Sequence, residues 1–180
     1  AERMGRHVEG FPGPQLREII RSDSLYRKLA GIGMRSTFAN AYFVDEVGEV
    51  EQGRLQSVTT VAALSAFGKV RDRRMLERNE AVYQDITREA LRARGYTGPL
   101  VAPAEAARHL VDIAIGQSLT LFEYFQTDRA GHAADPERSR RVLSLLDAFL
   151  SEIVRLAVEG GLLFVMTSDH GNIEDLTSRG

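Results

Sequence analysis

The sequence predicts an α/β domain, a mostly parallel sheet flanked by helices, and three stretches of its last third carry that expectation. "SLTLFEYFQT" (118–127) reads as a strand. "ADPERSRRVLSLLDAFLSEIVRLAVEGG" (134–161) reads as a long helix, and "LLFVMTS" (162–168) is a continuous apolar run of the kind a strand buried on both faces carries. Strand, crossover helix and strand make a βαβ unit, whose two strands run parallel with a right-handed connection.

The elements follow in chain order. "PQLREIIRSDSLYRKLAGIG" (14–33) is expected to form two short helices, with Ser22 as N-cap between them and Gly31 and Gly33 as stop signals. "MRSTFANAY" (34–42) has strand composition, and the Gly- and Glu-rich stretch 43–56 reads as loop. "SVTTVAALSAF" (57–67) fits strand or helix, because a short apolar run does not settle the period. "RDRRMLERNEAVYQDITREALRARG" (71–95) is expected to be mostly helical and to end at Gly95. "PAEAARHLVDIAIG" (103–116) opens with proline at a first helical position and closes on glycine, with Ala107, Leu110 and Ala114 on one face. In 134–161, Asp135 is the expected N-cap and Pro136 the first helical residue. Val142, Leu145, Leu146, Phe149, Ile153 and Leu156 form a single apolar stripe, and Gly160–Gly161 end the helix.

Composition narrows the function classes. The chain has 180 residues, 43% hydrophobic and 27% charged, enough for one packed domain with at most a small subdomain. A formal net charge of −2 and the lack of a basic tail give no case for a nucleic-acid partner. With no cysteine, thiolate metal sites, disulfides and thiol catalysis are excluded. No apolar run approaches the ~20 residues of a membrane span and no signal peptide opens the sequence, which leaves the cytoplasm as the default location. The opening "AERMGRHVEGFPG" and the closing "LTSRG" both read like the interior of a longer protein.

The chemistry gathers at two expected strand ends. "TDRAGH" places Asp128 and His132 after the first strand, and "SDHG" places Asp169 and His170 after the second. In an open parallel sheet, ligands bind beyond the carboxyl ends of the strands, and one crossover brings these two ends to the same edge. Carboxylate oxygen with neutral imidazole nitrogen suits Zn²⁺, Mn²⁺ or Fe²⁺, whereas an all-oxygen set would suit Mg²⁺ or Ca²⁺. Four such ligands exceed what one catalytic ion with an open position takes, and match most of a two-metal site with ions roughly 3.5–4 Å apart. Taken singly, the residues have other readings. Asp128 fits an N-cap or Asx-turn and His132 a surface loop, while Asp169 fits a cap for the next turn, with Gly171 serving backbone conformation.

"TDRAGHAADPERSRRVLSLLDAFL" followed by "GGLLFVMTSDHGNIED" resembles the metal-binding core of cofactor-independent phosphoglycerate mutase and its relatives in the alkaline phosphatase superfamily. "GRHVEGFPG" and "FANAY" are similar to segments of a subgroup of mutase-like metalloenzymes. The strong part of the resemblance spans about residues 117–176. It implies an alkaline phosphatase-like core over 1–42 and 101–180 with a small inserted cap-like segment at 43–100. It also implies two divalent ions, Mn²⁺ or Zn²⁺ before Mg²⁺, one bound by Asp128 and His132 and the other by Asp169 and His170. The implied reaction is phosphoryl transfer to or from a small phosphorylated substrate through a serine or threonine nucleophile, as phosphatase or phosphomutase. That nucleophile and a companion aspartate would lie before residue 1, and a further histidine ligand after residue 180, so the chain alone is expected to hold an incomplete site. Related two-metal enzymes act on sulfate esters or phosphodiesters, and a non-catalytic domain keeping the fold is the other class.

Other residues complete the inventory. Arg129, inside the first motif, is a candidate for contacting a substrate phosphate, since guanidinium suits bidentate phosphate contacts. "RDRR" (71–74) fits a phosphate clamp or a solvated helix start, and His7 is a candidate for lining the site. His109 reads as structural or exposed. Asn172, Glu174 and Asp175 are expected to shape the turn after the ligands, and the aromatic residues of 118–125 to pack in the core.

Overall fold

The computed structural model describes residues 12–45, 47–51 and 56–177. In chain order the elements are α1 (Pro14–Ser22), α2 (Leu25–Gly31), β1 (Ser36–Phe38), α3 (Val47–Glu51), α4 (Val58–Phe67), α5 (Arg73–Glu77) and a 3-10 turn (Glu89–Arg94). They continue with α6 (Pro103–Ala114), β2 (Leu119–Leu121), α7 (Gln126–Ala133) and α8 (Pro136–Glu159). The class is α/β as expected, with parallel strands flanked by helices.

The strand pairing differs from the expected one. β2 pairs in parallel with β1, Ser36 opposite Leu119 and Phe38 opposite Leu121. Residues 162–168 form no strand, and among the described residues no backbone hydrogen bond joins 163–168 to β1 or β2. Leu163 is 91% exposed and Val165 73%. α8 ends in a left-handed Gly161 (φ 63°), with the Leu162 N–H bonded to the Ala157 carbonyl at 2.8 Å, so the helix is closed properly. What the run lacks is a ladder: apolar composition suits a strand to burial but supplies none of the partners its backbone needs.

The β1–β2 ladder is extended by a side chain. Buried Asn40 donates from Nδ2 to the Glu123 carbonyl and accepts from the Glu123 N–H, both at 2.8 Å. Its amide thus replaces a strand partner and holds the chain on course from β2 into α7.

α8 matches the sequence reading. The Asp135 carboxylate accepts from the Glu137 and Arg138 N–H groups at 3.0 and 3.1 Å, and Pro136 opens the helix. Val142, Phe149 and Ile153 are buried, and Phe149 and Ile153 pack with Ala106 and Ala107 of α6. The Phe149 ring lies 5.6 Å from that of Phe122, at a tilt. A second cluster joins α1, α2, α4 and β1 through Ile20, Tyr26, Phe38, Val61 and Ala63.

Several boundaries move. Ser24 rather than Ser22 caps α2, its Oγ accepting from the Arg27 N–H at 3.4 Å. Residues 47–51 are helical rather than loop, and 58–67 resolve as helix. The helix expected through 71–95 stops at Glu77, and Asn79, Ile86 and Arg88 then take left-handed backbone (φ 62°, 69° and 66°). For β-branched Ile86 this costs about 1–3 kcal/mol. Burying its side chain to 1% exposure returns about 1.5–3 kcal/mol, so packing sustains the strained turn.

Candidate metal centre

Asp128 and His132 lie on a helix rather than directly beyond a strand: of the stretch 118–127 expected as strand only Leu119–Leu121 is one, and its last two residues already belong to α7. α7 begins five residues after β2 ends, and the two side chains, four residues apart, fall on one face. His132 Nε2 stands 3.3 Å from Asp128 Oδ1. The second motif reaches the same carboxylate: His170 Nε2 is 3.9 Å from Asp128 Oδ1 and 3.7 Å from Asp169 Oδ2. The four residues therefore form one surface group centred on Asp128, with the Asp128 side chain 42% exposed and Asp169 90%.

Asn172 makes the join. Its Nδ2 donates to Asp128 Oδ1 at 2.8 Å and to the Asp128 carbonyl at 3.1 Å, tying the second motif to the first turn of α7. Gly131 is what permits this approach. A Cβ there would collide with Asn172 Oδ1 and stand 3.0 Å from the Asn172 carbonyl carbon. The glycine between Asp128 and His132 is thus required by the neighbouring segment, in the middle of a helix where it is otherwise unfavourable. Asn172 also shapes its own turn, as expected, with its N–H donating to Glu174 at 2.7 Å. Its cross-motif role was not read from the sequence.

Electrostatics fit a cation-seeking surface. A hydrogen bond to the Gly171 carbonyl, then the carboxylates of Asp169 and Asp128, raise the His170 imidazole above its ordinary range. Behind the group, burial raises the carboxyl of Glu123, with the charge of Asp169 adding to the effect. Thr59 donates to Glu123 Oε1, while Oε2 is buried with no partner.

Two carboxylates and two imidazoles are the donor types a borderline divalent ion takes, and the Asp128–His132 pair, at 3.3 Å, is near the roughly 3 Å separation of ligands sharing an ion, while the contacts of His170 are wider at 3.7 and 3.9 Å. Among the described residues no three His, Asp or Glu side chains are grouped closely enough to hold one ion. The donor types suit a divalent ion, but the described residues form no closed cage for one.

The remaining candidates separate cleanly. Arg129 is exposed on α7, beside Asp128. Arg71 braces the fold, donating to the Phe38 carbonyl at 3.0 Å, to Thr37 Oγ1 at 2.9 Å and to the Glu80 carbonyl. Asp72 caps α5 through the Met75 N–H at 2.9 Å, and Arg73 binds Glu77 at 2.9 Å and stacks over Phe43. Arg71 and Asp72 in "RDRR" are therefore committed to structure. His109 is largely buried beside Glu105, and burial lowers its imidazole below the ordinary range. His7 lies outside the described residues. No helix among them is long and apolar enough to cross a membrane.

Comparison with known proteins shows the family of the chain. The model of the Metalloenzyme superfamily matches residues 79–178, more than half of the chain. The chain is 35% identical over 65 residues to a 2,3-bisphosphoglycerate-independent phosphoglycerate mutase of Helicobacter pylori (strain J99 / ATCC 700824), covering 36% of this chain and 13% of that protein. It is 29% identical over 80 residues to the mutase of the same name from Anaplasma phagocytophilum (strain HZ), covering 43% and 16%. The match to that of Ehrlichia ruminantium (strain Gardel) is 25% over 103 residues, covering 54% and 21%. The chain thus spans about a fifth or less of the length of these relatives. No solved structure matches it significantly. The chain belongs to the Metalloenzyme superfamily, in keeping with the resemblance of its two acid–imidazole motifs to cofactor-independent phosphoglycerate mutases.

Proposed function

We propose that this chain supplies metal ligands to a centre for phosphoryl transfer on a small phosphorylated substrate, by hydrolysis or by transfer within the substrate. Asp128, His132, Asp169 and His170 would hold two divalent ions, Mn²⁺ or Zn²⁺. Bound, such ions neutralise phosphoryl oxygens and activate an attacking oxygen. The chain's own residues do the rest. Asn172 fixes the Asp128 carboxylate by donating to it, Gly131 admits Asn172, and Arg129 on the exposed side of α7 would contact a phosphate oxygen. Residues 43–100 would select the substrate.

The observation that carries the reading is the position of Asp128 Oδ1, approached by His132 from within its own helix and by His170 from the distant second motif. The names of the related mutases support the choice of phosphoryl transfer. Calorimetric titration of the metal-stripped chain with Mn²⁺ and Zn²⁺ tests it. Binding that the Asp128→Ala/Asp169→Ala double variant loses is the expected result. Binding that the double variant keeps would overturn the ligand assignment.

A further inference from the structure

The segment that leads from β2 into α7 carries a carboxyl where alternation calls for a core side chain. Along "LTLFEYF" (119–125), Leu119 and Leu121 pack into the cluster of α1, α2 and α4, while Phe122 and Tyr124 pack toward α6 and α8. Glu123 falls in step with the first set. A carboxyl on a core face costs stability unless it is hydrogen-bonded or paired, so its presence there calls for a reason other than packing.

Two distant segments hold Glu123. The buried Asn40 amide grips its main chain, donating to its carbonyl and accepting from its N–H, both at 2.8 Å. Thr59, in the first turn of α4, meets its side chain, the hydroxyl donating to Oε1. Oε2 is buried with no partner, so among the described residues the Thr59 bond is the one hydrogen bond this carboxyl makes. The positive end of the α4 dipole favours the same carboxylate. What Glu123 anchors lies just downstream. α7 starts three residues later at Gln126, and Asp128 in its first turn receives Asn172 Nδ2 at 2.8 Å, the bond that joins the second motif. The carboxyl of Glu123, raised first by burial, is raised further by the charge of Asp169, so one group lies behind both motifs.

We propose that Glu123 and Thr59 are positioning residues of the metal centre, through which the start of α4 sets where α7 presents Asp128 to Asn172. The inference rests on the metal-centre reading for its meaning: the segment 43–100, given substrate selection above, and the ligand group then share one hydrogen bond. Cutting that bond leaves a buried carboxyl with no partner. The carboxyl must then turn toward water, against the Asn40 grip that keeps residues 122–125 in line.

The test reads the contact twice: in the metal-stripped chain from the Asn172 side-chain amide resonances in ¹H–¹⁵N NMR spectra, and separately from Mn²⁺ affinity. Thr59→Val keeps the shape of the side chain and removes the donor. It should displace the Asn172 Nδ2 resonances and the α7 amides, and lower Mn²⁺ affinity about tenfold, as loss of a group orienting a ligand does. Thr59→Ser keeps the hydroxyl and should restore both readings, whereas a role confined to methyl packing would reverse that order. Ser65→Ala, further along α4, should leave both unchanged. If Thr59→Val does not fold, Glu123→Ala cuts the same bond from the other side and should displace the same resonances. Asn172 and α7 resonances that stay in place when the bond is cut, or that move as far in Thr59→Ser, would overturn the proposal. Displaced resonances in a chain that binds no Mn²⁺ would overturn the metal centre and leave the Thr59–Glu123 anchor standing.

Discussion

Gly131→Ala separates the stability of α7 from the assembly of the site. Alanine in a helix interior gains about 1 kcal/mol over glycine. Against that, the new Cβ would collide with Asn172 Oδ1 and stand 3.0 Å from its carbonyl carbon. The amide can swing away, but the backbone contact requires the segment itself to retreat. Retreat breaks the bonds from Nδ2 to Asp128 Oδ1 and to the Asp128 carbonyl. A bond to a charged group contributes about 1.5–3 kcal/mol and a neutral one about 0.5–1.5. Asp128 is 42% exposed, so the lower ends apply and the loss comes to about 2 kcal/mol. Global stability should therefore change by no more than about 1 kcal/mol, a shift in Tm of roughly 2–4 °C. Metal affinity should fall about 10–100-fold, as it does when a group orienting a ligand is lost. Circular-dichroism melts with Mn²⁺ titration read both quantities. Unchanged metal affinity would refute the claim that Gly131 is there to let the two motifs meet.

Other perturbations have distinct signatures. Asp169→Asn should sharply weaken Mn²⁺ binding while leaving the melting curve within about 0.5 kcal/mol of the parent, since the side chain is 90% exposed; metal binding at the parent level would remove Asp169 from the ligand set. Phe149→Ala empties a site only 2% exposed at the α6–α8 contact and should cost about 3–5 kcal/mol in urea unfolding; a cost under about 1 kcal/mol would mean that this contact does not hold the core. Burial raises the carboxyl of Glu123 above its ordinary range, so the folded chain holds that proton more tightly than the unfolded one. Its stabilising contribution is complete below the ordinary glutamate pKa of about 4.3 and is lost as pH rises through the raised value. Glu123→Gln should accordingly gain on the parent between pH 4 and pH 8 in denaturant titrations, and a difference independent of pH would contradict the burial of that carboxyl.

What the sequence made legible was whatever local chemistry decides. α8 announced itself because Asp135, Pro136 and the stripe through Phe149 all act within the helix or along one face. The pairing of Asp128 and His132 with Asp169 and His170 was likewise readable as donor chemistry. The route by which they meet was not. Gly131 in "TDRAGH" argues against a helix on propensity, and α7 forms nonetheless, with Asn172 occupying the space the missing side chain leaves. "LLFVMTS" read as a buried strand because composition reports suitability for burial, whereas a ladder depends on a distant partner that composition does not name. Ile86 is the sharpest case. No local rule places a β-branched residue in left-handed backbone, and only its burial among α6 and α8 residues sustains it.

The most direct test of the convergence of the two motifs is paramagnetic broadening by substoichiometric Mn²⁺ in the ¹H–¹⁵N NMR spectrum of the metal-stripped chain. Simultaneous loss of the resonances of residues 128–132 and 169–172, at Mn²⁺ levels that leave α1 and α2 untouched, is the expected result. Broadening confined to one of the two segments, or spread evenly over the surface acids, would contradict a shared centre at Asp128.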